Sequence, residues 1–146
     1  MDGQRPQTVT AVTQQLKPDV YPQVDDEATI ILTYPKAQAS VQASWNWPFS
    51  RKDMEVYGQK GYVITVQRDD IRLRRGGDDA REEQSAAKPL SAPNDNPLSY
   101  LRAVIVDGAK PDGLSSLETN VTVMEILDAA RRSAASGKTI HLPVSR

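Results

Sequence analysis

Residues 26–46 decide the fold, and they read DEATIILTYPKAQASVQASWN. From residue 37 onward, small or apolar side chains alternate strictly with polar ones. The alternation puts two sets on opposite sides of a strand, Ala37, Ala39, Val41, Ala43 and Trp45 on one and Gln38, Ser40, Gln42, Ser44 and Asn46 on the other. A period of two predicts a strand with one buried and one polar face. Residues 26–34 form a second strand, and Pro35 and Lys36 make the tight turn between them.

Further strands are predicted on both sides of this hairpin. Residues 7–15 are rich in Thr and Val, which favour a pleated, half-buried surface. Short strands separated by turn residues follow the hairpin, around residues 54–56, 62–66 and 71–73, and form an antiparallel meander. Residues 75–86 are predicted to be an exposed loop, with a further strand possible around residues 83–90, and residues 139–142 are predicted to be a short last strand.

The hydrophobic period changes to that of a helix after residue 95. Asn96 can cap a helix that has Pro97 at its first position and runs up to Gly108. Ser115 and Glu118 have the spacing of a capping box, which opens a longer helix ending near Gly137. The apolar stripe of that helix consists of Leu117, Val121, Met124, Leu127 and Ala130. Strands followed by helices predict one α+β domain over residues 1–146, an open-faced, largely antiparallel sheet with helices packed on one face.

Composition excludes several classes of function. The chain has 146 residues, 18 basic against 19 acidic, and a net charge of -1, which argues against a nucleic-acid or anionic-membrane binder. It contains no long apolar run and opens without a hydrophobic signal segment, so a cytoplasmic protein is the expectation. The absence of cysteine excludes disulfides, thiolate metal sites and a cysteine nucleophile.

The sequence predicts no catalytic, cofactor-binding or metal-binding residue. The double glycine Gly76-Gly77 lies in a charged loop and opens no helix, so the phosphate-binding turn of a dinucleotide site is missing. His141 is the single histidine and is interpreted as an ordinary strand residue. The acidic residues of the same loop have no calcium-loop spacing and are interpreted as solvated, namely Asp78, Asp79, Glu82 and Glu83.

Residues 44–51 form the most distinctive stretch, because they contain both tryptophans and the only phenylalanine. In one interpretation these rings only pack, with Trp45 largely buried against the helices, so that its truncation would cost about 3–5 kcal/mol. In the other, an indole stacks on the C–H groups of a sugar or polyol while Asn46 or Arg51 binds its hydroxyls. The candidate substrate-adjacent residues are Trp45, Asn46, Trp47 and Arg51.

Several segments in order resemble the C-terminal domain of the Gfo/Idh/MocA oxidoreductases, the family of glucose-fructose oxidoreductase and inositol dehydrogenase. They are Val-Asp-Asp-Glu-Ala-Thr (24–29), Tyr-Pro-Lys-Ala-Gln-Ala (34–39), Gln-Ala-Ser-Trp-Asn-Trp-Pro (42–48) and Asp-Met-Glu-Val-Tyr-Gly-Gln-Lys-Gly-Tyr (53–62). The tail is similar too, with Ala-Ser-Gly-Lys (135–138) followed by His-Leu-Pro (141–143). Together they extend over nearly the whole chain.

The resemblance implies a role for the chain and leaves it without catalytic residues. Members pair a Rossmann domain with this sheet domain and transfer hydride between NAD(P) and a sugar, polyol or related alcohol. Their catalytic lysine, aspartate and histidine lie upstream of this sheet domain and have no counterpart in this sequence. The chain is therefore expected to be the substrate-side and oligomerisation domain, inactive alone and binding no cofactor, while NAD or NADP is implied for the parent.

The sequence and the resemblance each suggest a partner. The polar face of the hairpin carries Ser, Thr and Gln, with only Glu27 adding charge. Such a face suits a homo-oligomer interface, with a solvated face as the alternative. The resemblance adds the missing Rossmann domain as a second partner. The alternative to the oxidoreductase fragment is an autonomous small α+β binding or assembly protein without catalysis.

Overall fold

The computed structural model describes residues 5–67, 69–77 and 80–143. These residues form the strands β1 (Thr8–Gln14), β2 (Glu27–Tyr34), β3 (Ala37–Ser44), β4 (Met54–Gly58), β5 (Gly61–Val66), β6 (Asp70–Arg75), β7 (Glu83–Ala86) and β8 (Ile140–His141). The helices are α1 (Pro97–Ile105) and α2 (Leu117–Ser136), with a 3-10 turn at Gly113–Ser115. The strands pair antiparallel throughout, in two four-stranded sheets. The predicted α+β class with antiparallel strands is confirmed.

The chain forms two compact units. One contains the described residues up to Pro48 and from Lys110 onward, and the other is Phe49–Ala109. The first unit holds a sheet in the order β3-β2-β1-β8 together with α2, and the second holds a sheet in the order β4-β5-β6-β7 together with α1. The division into one domain over residues 1–146 stays a prediction.

The core of the first unit lies between its sheet and α2. Its buried residues come from β1, β2, α2 and the segment after β8, and they are Val9, Ala11, Leu32, Ala129, Ala130 and Leu142. The register of the β2–β3 hairpin pairs Leu32 with Ala39 and Ile30 with Val41. Directly opposite residues share a face, and Leu32, Ile30 and Ala39 belong to the core, so the apolar side predicted for residues 37–44 is the side of the sheet that α2 covers.

The core-facing side of α2 differs from the predicted stripe. Of that stripe only Ala130 is buried, and the other members are exposed, namely Leu117, Val121, Met124 and Leu127. The side chains against the sheet are mostly small and come from Ile126, Ala129, Ala130, Ser133 and Ala134. Small residues let the helix approach the sheet closely, and a search for large apolar residues at helical spacing passes over them.

The ends of α2 are set by local side-chain chemistry. Its N-cap is Ser116, whose side chain accepts a hydrogen bond from the backbone N–H of Thr119. The predicted cap, Ser115, is wrong by one residue because it ends the preceding 3-10 turn. Gly137 ends the helix as predicted, with a φ of 66° that favours glycine.

Ser133 connects α2 to the edge of the sheet. Its Oγ accepts a hydrogen bond of 2.9 Å from the backbone N–H of Ala11. That amide lies beyond the reach of β8, which pairs only with Thr8 and Val9. Ser133 is fully buried on the core side of the helix. Its hydroxyl therefore provides the hydrogen-bond acceptor that β8 does not offer to the backbone N–H of Ala11.

The second unit confirms the predicted meander and extends it. A two-residue loop, Gln59-Lys60, joins β4 to β5, and β6 follows after the next turn. The possible strand near residues 83–90 is β7, which pairs with β6. Asn96 caps α1 as predicted, because its Oδ1 accepts from the backbone N–H of Ser99 at 2.9 Å. The helix ends at Ile105, before Gly108.

Neither helix of the described chain has the length and hydropathy that crossing a bilayer requires. The predictions for Asp78 and Asp79 lie outside the described residues.

Candidate functional site

A buried aspartate organises the end of the first sheet where β1 ends and β2 begins. Asp26 accepts hydrogen bonds of 2.8 Å on Oδ1 from the backbone N–H of Leu16 and on Oδ2 from that of Lys17. Its backbone oxygen accepts from the backbone N–H of Trp45 at 2.9 Å. Burial raises the pKa of Asp26, but the hydrogen bonds from Leu16, Asn46 and Lys17 outweigh it and the pKa is lowered. The charged carboxylate therefore holds residues 16 and 17 against the start of β2, and the backbone oxygen of the same residue holds Trp45 there.

Trp45 lies at this sheet end and is exposed. Its indole is 59% accessible, so the prediction that it is buried against the helices is wrong. The reason is the strand order. The helix α2 packs on β1 and β8, whereas β3, which leads into Trp45, is the strand at the far edge of the sheet. The ring of Tyr21 supports the indole, with centroids 5.0 Å apart and planes inclined at 56°. A truncation cost typical of a buried indole therefore does not apply.

Asn46 donates hydrogen bonds within the protein. Its Nδ2 donates to the backbone oxygen of Asp26 at 3.2 Å and to Oε2 of Glu27 at 3.4 Å. Its backbone N–H donates to Oγ of Ser44 at 3.0 Å. The amide thus fixes the position of Trp45 beside it, and its donor group is already committed.

The other two candidates, Trp47 and Arg51, belong to different units. Trp47 is partly exposed at the end of the first unit. Arg51 belongs to the second unit, where its Nε donates to Oδ2 of Asp53 at 2.7 Å. The backbone N–H of Gln67 also donates to Asp53, and these contacts lower the pKa of that carboxyl. The structure therefore brings Trp45 and Asn46 to one sheet end, and a substrate-adjacent role for all four residues stays a prediction.

Sequence reasoning missed a tyrosine pair on the second sheet. Tyr57 and Tyr62 lie opposite each other on β4 and β5, with ring centroids 5.7 Å apart. Tyr57 donates its hydroxyl to Glu55 at 2.7 Å and Tyr62 donates to Glu82 at 2.8 Å. Hydrogen bonding to these carboxylates raises the pKa of both tyrosines. Both phenols therefore stay protonated near neutral pH and do not provide a general base.

The helix N-termini of the described chain do not fit a nicotinamide dinucleotide. Such a site needs a Gly-rich turn that leads directly from a strand into a helix. The start of α1 is closed by Asn96, and α2 follows a 3-10 turn and is capped by Ser116. Within the described residues, no group of three His, Asp or Glu side chains could hold a metal ion.

An apolar groove on α2 was also missed. It has a volume of 670 Å³ and is lined by Leu117, Val121, Met124 and Glu125 of α2 and by Leu142 and Pro143 after β8, among others. The signal was present in the sequence as the apolar stripe of α2, which was assigned to the core.

Comparison with known proteins agrees with this fold. Residues 1–64 match the model of the GFO/IDH/MocA C-terminal domain. The Gfo/Idh/MocA resemblance is confirmed. The matched residues run from β1 into β5, so they include the β2–β3 hairpin, Asp26 and the tryptophan segment of the Gfo/Idh/MocA-like domain. No curated protein sequence matches the chain.

Solved structures share the fold over nearly the whole chain. A candidate oxidoreductase from Thermotoga maritima has a TM-score of 0.74 and 18% identity over 96% of this chain and 42% of its own. An NAD-binding protein from Listeria innocua has a TM-score of 0.62 and 14% identity, with coverages of 94% and 46%. A candidate myo-inositol dehydrogenase from Sinorhizobium meliloti has a TM-score of 0.65 and 23% identity, with coverages of 97% and 45%. The chain thus spans less than half the length of each solved chain.

Proposed function

We propose that this chain is the C-terminal, substrate-side and oligomerisation domain of a cytoplasmic NAD(P)-dependent oxidoreductase that acts on a sugar, polyol or related alcohol. One observation carries the proposal: at least 94% of the chain matches less than half of longer chains such as the Thermotoga oxidoreductase. The Listeria and Sinorhizobium proteins support the cofactor and the polyol class. An autonomous α+β binding or assembly protein remains the second candidate, because Trp45 is an exposed aromatic surface that needs no catalytic partner.

Trp45 is the residue that we propose for the substrate side. An exposed indole offers a flat apolar face to the C–H groups of a polyol ring. The ring of Tyr21 contacts that indole, and the backbone oxygen of Asp26 accepts a hydrogen bond from the backbone N–H of Trp45. The indole is therefore held in place before a substrate binds. Hydride transfer itself would need the cofactor and the acid–base residues of the other half.

The domain alone should not bind nicotinamide cofactors. The reason is that neither helix N-terminus has the geometry for a pyrophosphate. Titration of the chain with NADH and NADPH by calorimetry is expected to give no saturable heat. The positive control is the parent protein with its preceding half, which should bind the cofactor and oxidise a polyol such as myo-inositol. A low-micromolar dissociation constant for the isolated domain would overturn its assignment as the half without a cofactor site.

The open face of the first sheet is the proposed oligomer surface. The register places Gln42 opposite Thr29, Gln38 opposite Thr33 and Ser40 opposite Ile31 on the side away from α2. Hydroxyl and amide groups dominate this face, and Glu27 adds one charge at its end. A flat, weakly charged polar face supports a wet, two-fold interface between copies.

A charge in the middle of this face should weaken the dimer. In a two-fold dimer, Gln42→Glu brings like charges close together and should raise the dimer dissociation constant about tenfold, which corresponds to about 1.4 kcal/mol. Gln59→Glu, the same substitution in the exposed β4–β5 loop, is the matched control and should change nothing. Sedimentation velocity at several concentrations measures both. A wild-type chain that stays monomeric at high micromolar concentration would contradict the oligomerisation role.

A further inference from the structure

The strand β3 has an unpaired edge. The first sheet ends at β3, and within the described residues β3 pairs only with β2. It is eight residues long, its pairing contains no bulge, and it carries neither a charged residue nor a proline. Long, regular and uncharged edges of this kind are the ones on which another strand can pair.

The other edge strands of the described residues are short or charged. At the opposite side of the first sheet, β8 is two residues long. The outer strands of the second sheet are β4, which contains Glu55, and β7, which is four residues long and contains Glu83. Short strands and charged side chains oppose the addition of a further strand. Among these edges, β3 is the one without such protection.

Two hydrogen bonds show which backbone groups lie on the free edge of β3. The backbone N–H of Ala11 is directed away from β2, toward Ser133. At the other side of β2, the backbone N–H of Trp45 donates to the backbone oxygen of Asp26. Backbone groups alternate in direction along a strand, so with the observed registers both bonds direct the odd-numbered residues of β3 toward β2. The outward N–H and C=O groups therefore belong to Gln38, Ser40, Gln42 and Ser44.

We propose that a second copy of this chain pairs its own β3 with this edge, antiparallel, about a two-fold axis that passes through Val41. In this register Ser40 lies opposite Gln42 of the second copy, and Gln38 lies opposite Ser44. Every outward N–H and C=O group of β3 then takes part in a hydrogen bond between the copies. A shift in either direction would leave one of these four residues opposite a position outside β3. The pairing uses the edge of the sheet and goes beyond the proposed oligomer surface, which is its open face.

The side chains of β3 fit the same register. Val41 is 47% exposed, although it lies on the side of the sheet that α2 covers. In the two-fold pair it lies opposite Val41 of the second copy, at a non-hydrogen-bonded position where side chains approach most closely. Ala39 then lies opposite Ala43 of the second copy, so small and apolar residues meet on one face and polar residues on the other. The second copy thus buries a valine that α2 leaves half exposed.

The composition of β3 favours a copy of itself over an unrelated peptide. Proteins that bind extended peptides at a sheet edge select them with pockets for alternate side chains. Five of the eight residues of β3 are Ala or Ser, which are too small to build such pockets. The edge therefore offers backbone hydrogen bonds and a self-complementary pattern of side chains.

Hydrogen exchange at single amides tests the pairing. The amides of Gln38, Ser40, Gln42 and Ser44 should be protected at high micromolar concentration and should exchange at least about tenfold faster after dilution. The amides of the odd-numbered residues donate to β2 and should stay protected at both concentrations. Sedimentation velocity at the same concentrations measures the oligomeric state. A dimer that packs through the open face would not produce this alternation along β3.

A charge at the two-fold axis should separate the copies. Val41→Lys places like charges opposite each other, so it should raise the dimer dissociation constant at least about tenfold and abolish the concentration-dependent protection. Lysine is common on free strand edges, so the monomer should keep its fold, which circular dichroism checks. Val56→Lys on β4, a valine with the same exposure of 47%, is the matched control and should change neither quantity. Ser40→Pro removes an outward N–H but no hydrogen bond to β2, and it replaces Val41→Lys if that variant does not fold.

Three results would overturn the inference in different ways. A dimer in which the outward amides of β3 exchange freely uses another surface. Outward amides that stay protected in a monomer at every dilution mean that a segment of the same chain covers the edge. A chain that stays monomeric at high micromolar concentration forms no edge pair. The assignment to an oxidoreductase is independent of all three, because the cofactor titration of the domain and its parent tests it.

Discussion

Replacing Leu32 with alanine should lower the free energy of unfolding of the first unit by about 2–5 kcal/mol. Leu32 is buried in the middle of β2 and packs in the core with Val9 and α2. Removing its side chain leaves a cavity between sheet and helix, which a small-residue helix face cannot refill. Urea unfolding followed by circular dichroism in the far ultraviolet measures the loss.

The neighbouring residue provides the control for this prediction. Ile31 has the same number of side-chain atoms but faces the opposite side of the sheet and is exposed. Ile31→Ala should therefore cost no more than about 1 kcal/mol. A larger loss for Ile31→Ala than for Leu32→Ala would mean that the β2 register is wrong by one residue, since a shift of one exchanges the two faces.

Replacing Gly61 with alanine should destabilise the second unit by about 3 kcal/mol or more. Gly61 begins β5 with a φ of 142°, a conformation that L-residues rarely adopt. A Cβ at this position would lie 1.9 Å from the backbone oxygen of Arg74 on β6. Neither the hairpin nor the β5–β6 pairing can accommodate that atom without a shift of the backbone.

Gly58→Ala in the same hairpin is the matched control. Its Cβ would lie 3.7 Å from the backbone oxygen of Gly61, which is ordinary van der Waals contact. Hydrogen exchange of the amides of β4, β5 and β6 reports the local stability of this unit. Unchanged protection in Gly61→Ala would contradict the close approach between β5 and β6.

The strands were predictable because their signal is local. Alternation within residues 37–44 and the two-residue loop between β4 and β5 each specify a strand or a turn without reference to the rest of the chain. The N-cap of α1 and the left-handed Gly137 are local in the same sense. Local patterns do not indicate which strands pair, so the division into two sheets was not visible in the sequence.

The errors at the candidate site have the same origin. Trp45 is exposed because β8 joins the sheet beside β1 and leaves β3 at the far edge, and this order is not encoded in residues 37–46. The helix α2 turns Ala129, Ala130 and Ser133 toward the sheet, although larger apolar residues lie at the same spacing on its other side. The sequence alone does not indicate which of the two apolar sides of α2 packs against the sheet.

The hydrogen bond from Ala11 to Ser133 also hinders the pairing of a strand from another chain with the edge of β1. β8 is only two residues long, so the edge of β1 past Val9 would present unpaired backbone groups. Such edges are templates on which another chain can add a strand and begin to aggregate. Many proteins protect them with charged residues or a bulge. In this domain the hydroxyl of a buried helical serine accepts a hydrogen bond from the backbone N–H of Ala11, so the same helix that completes the core also covers this edge of the sheet.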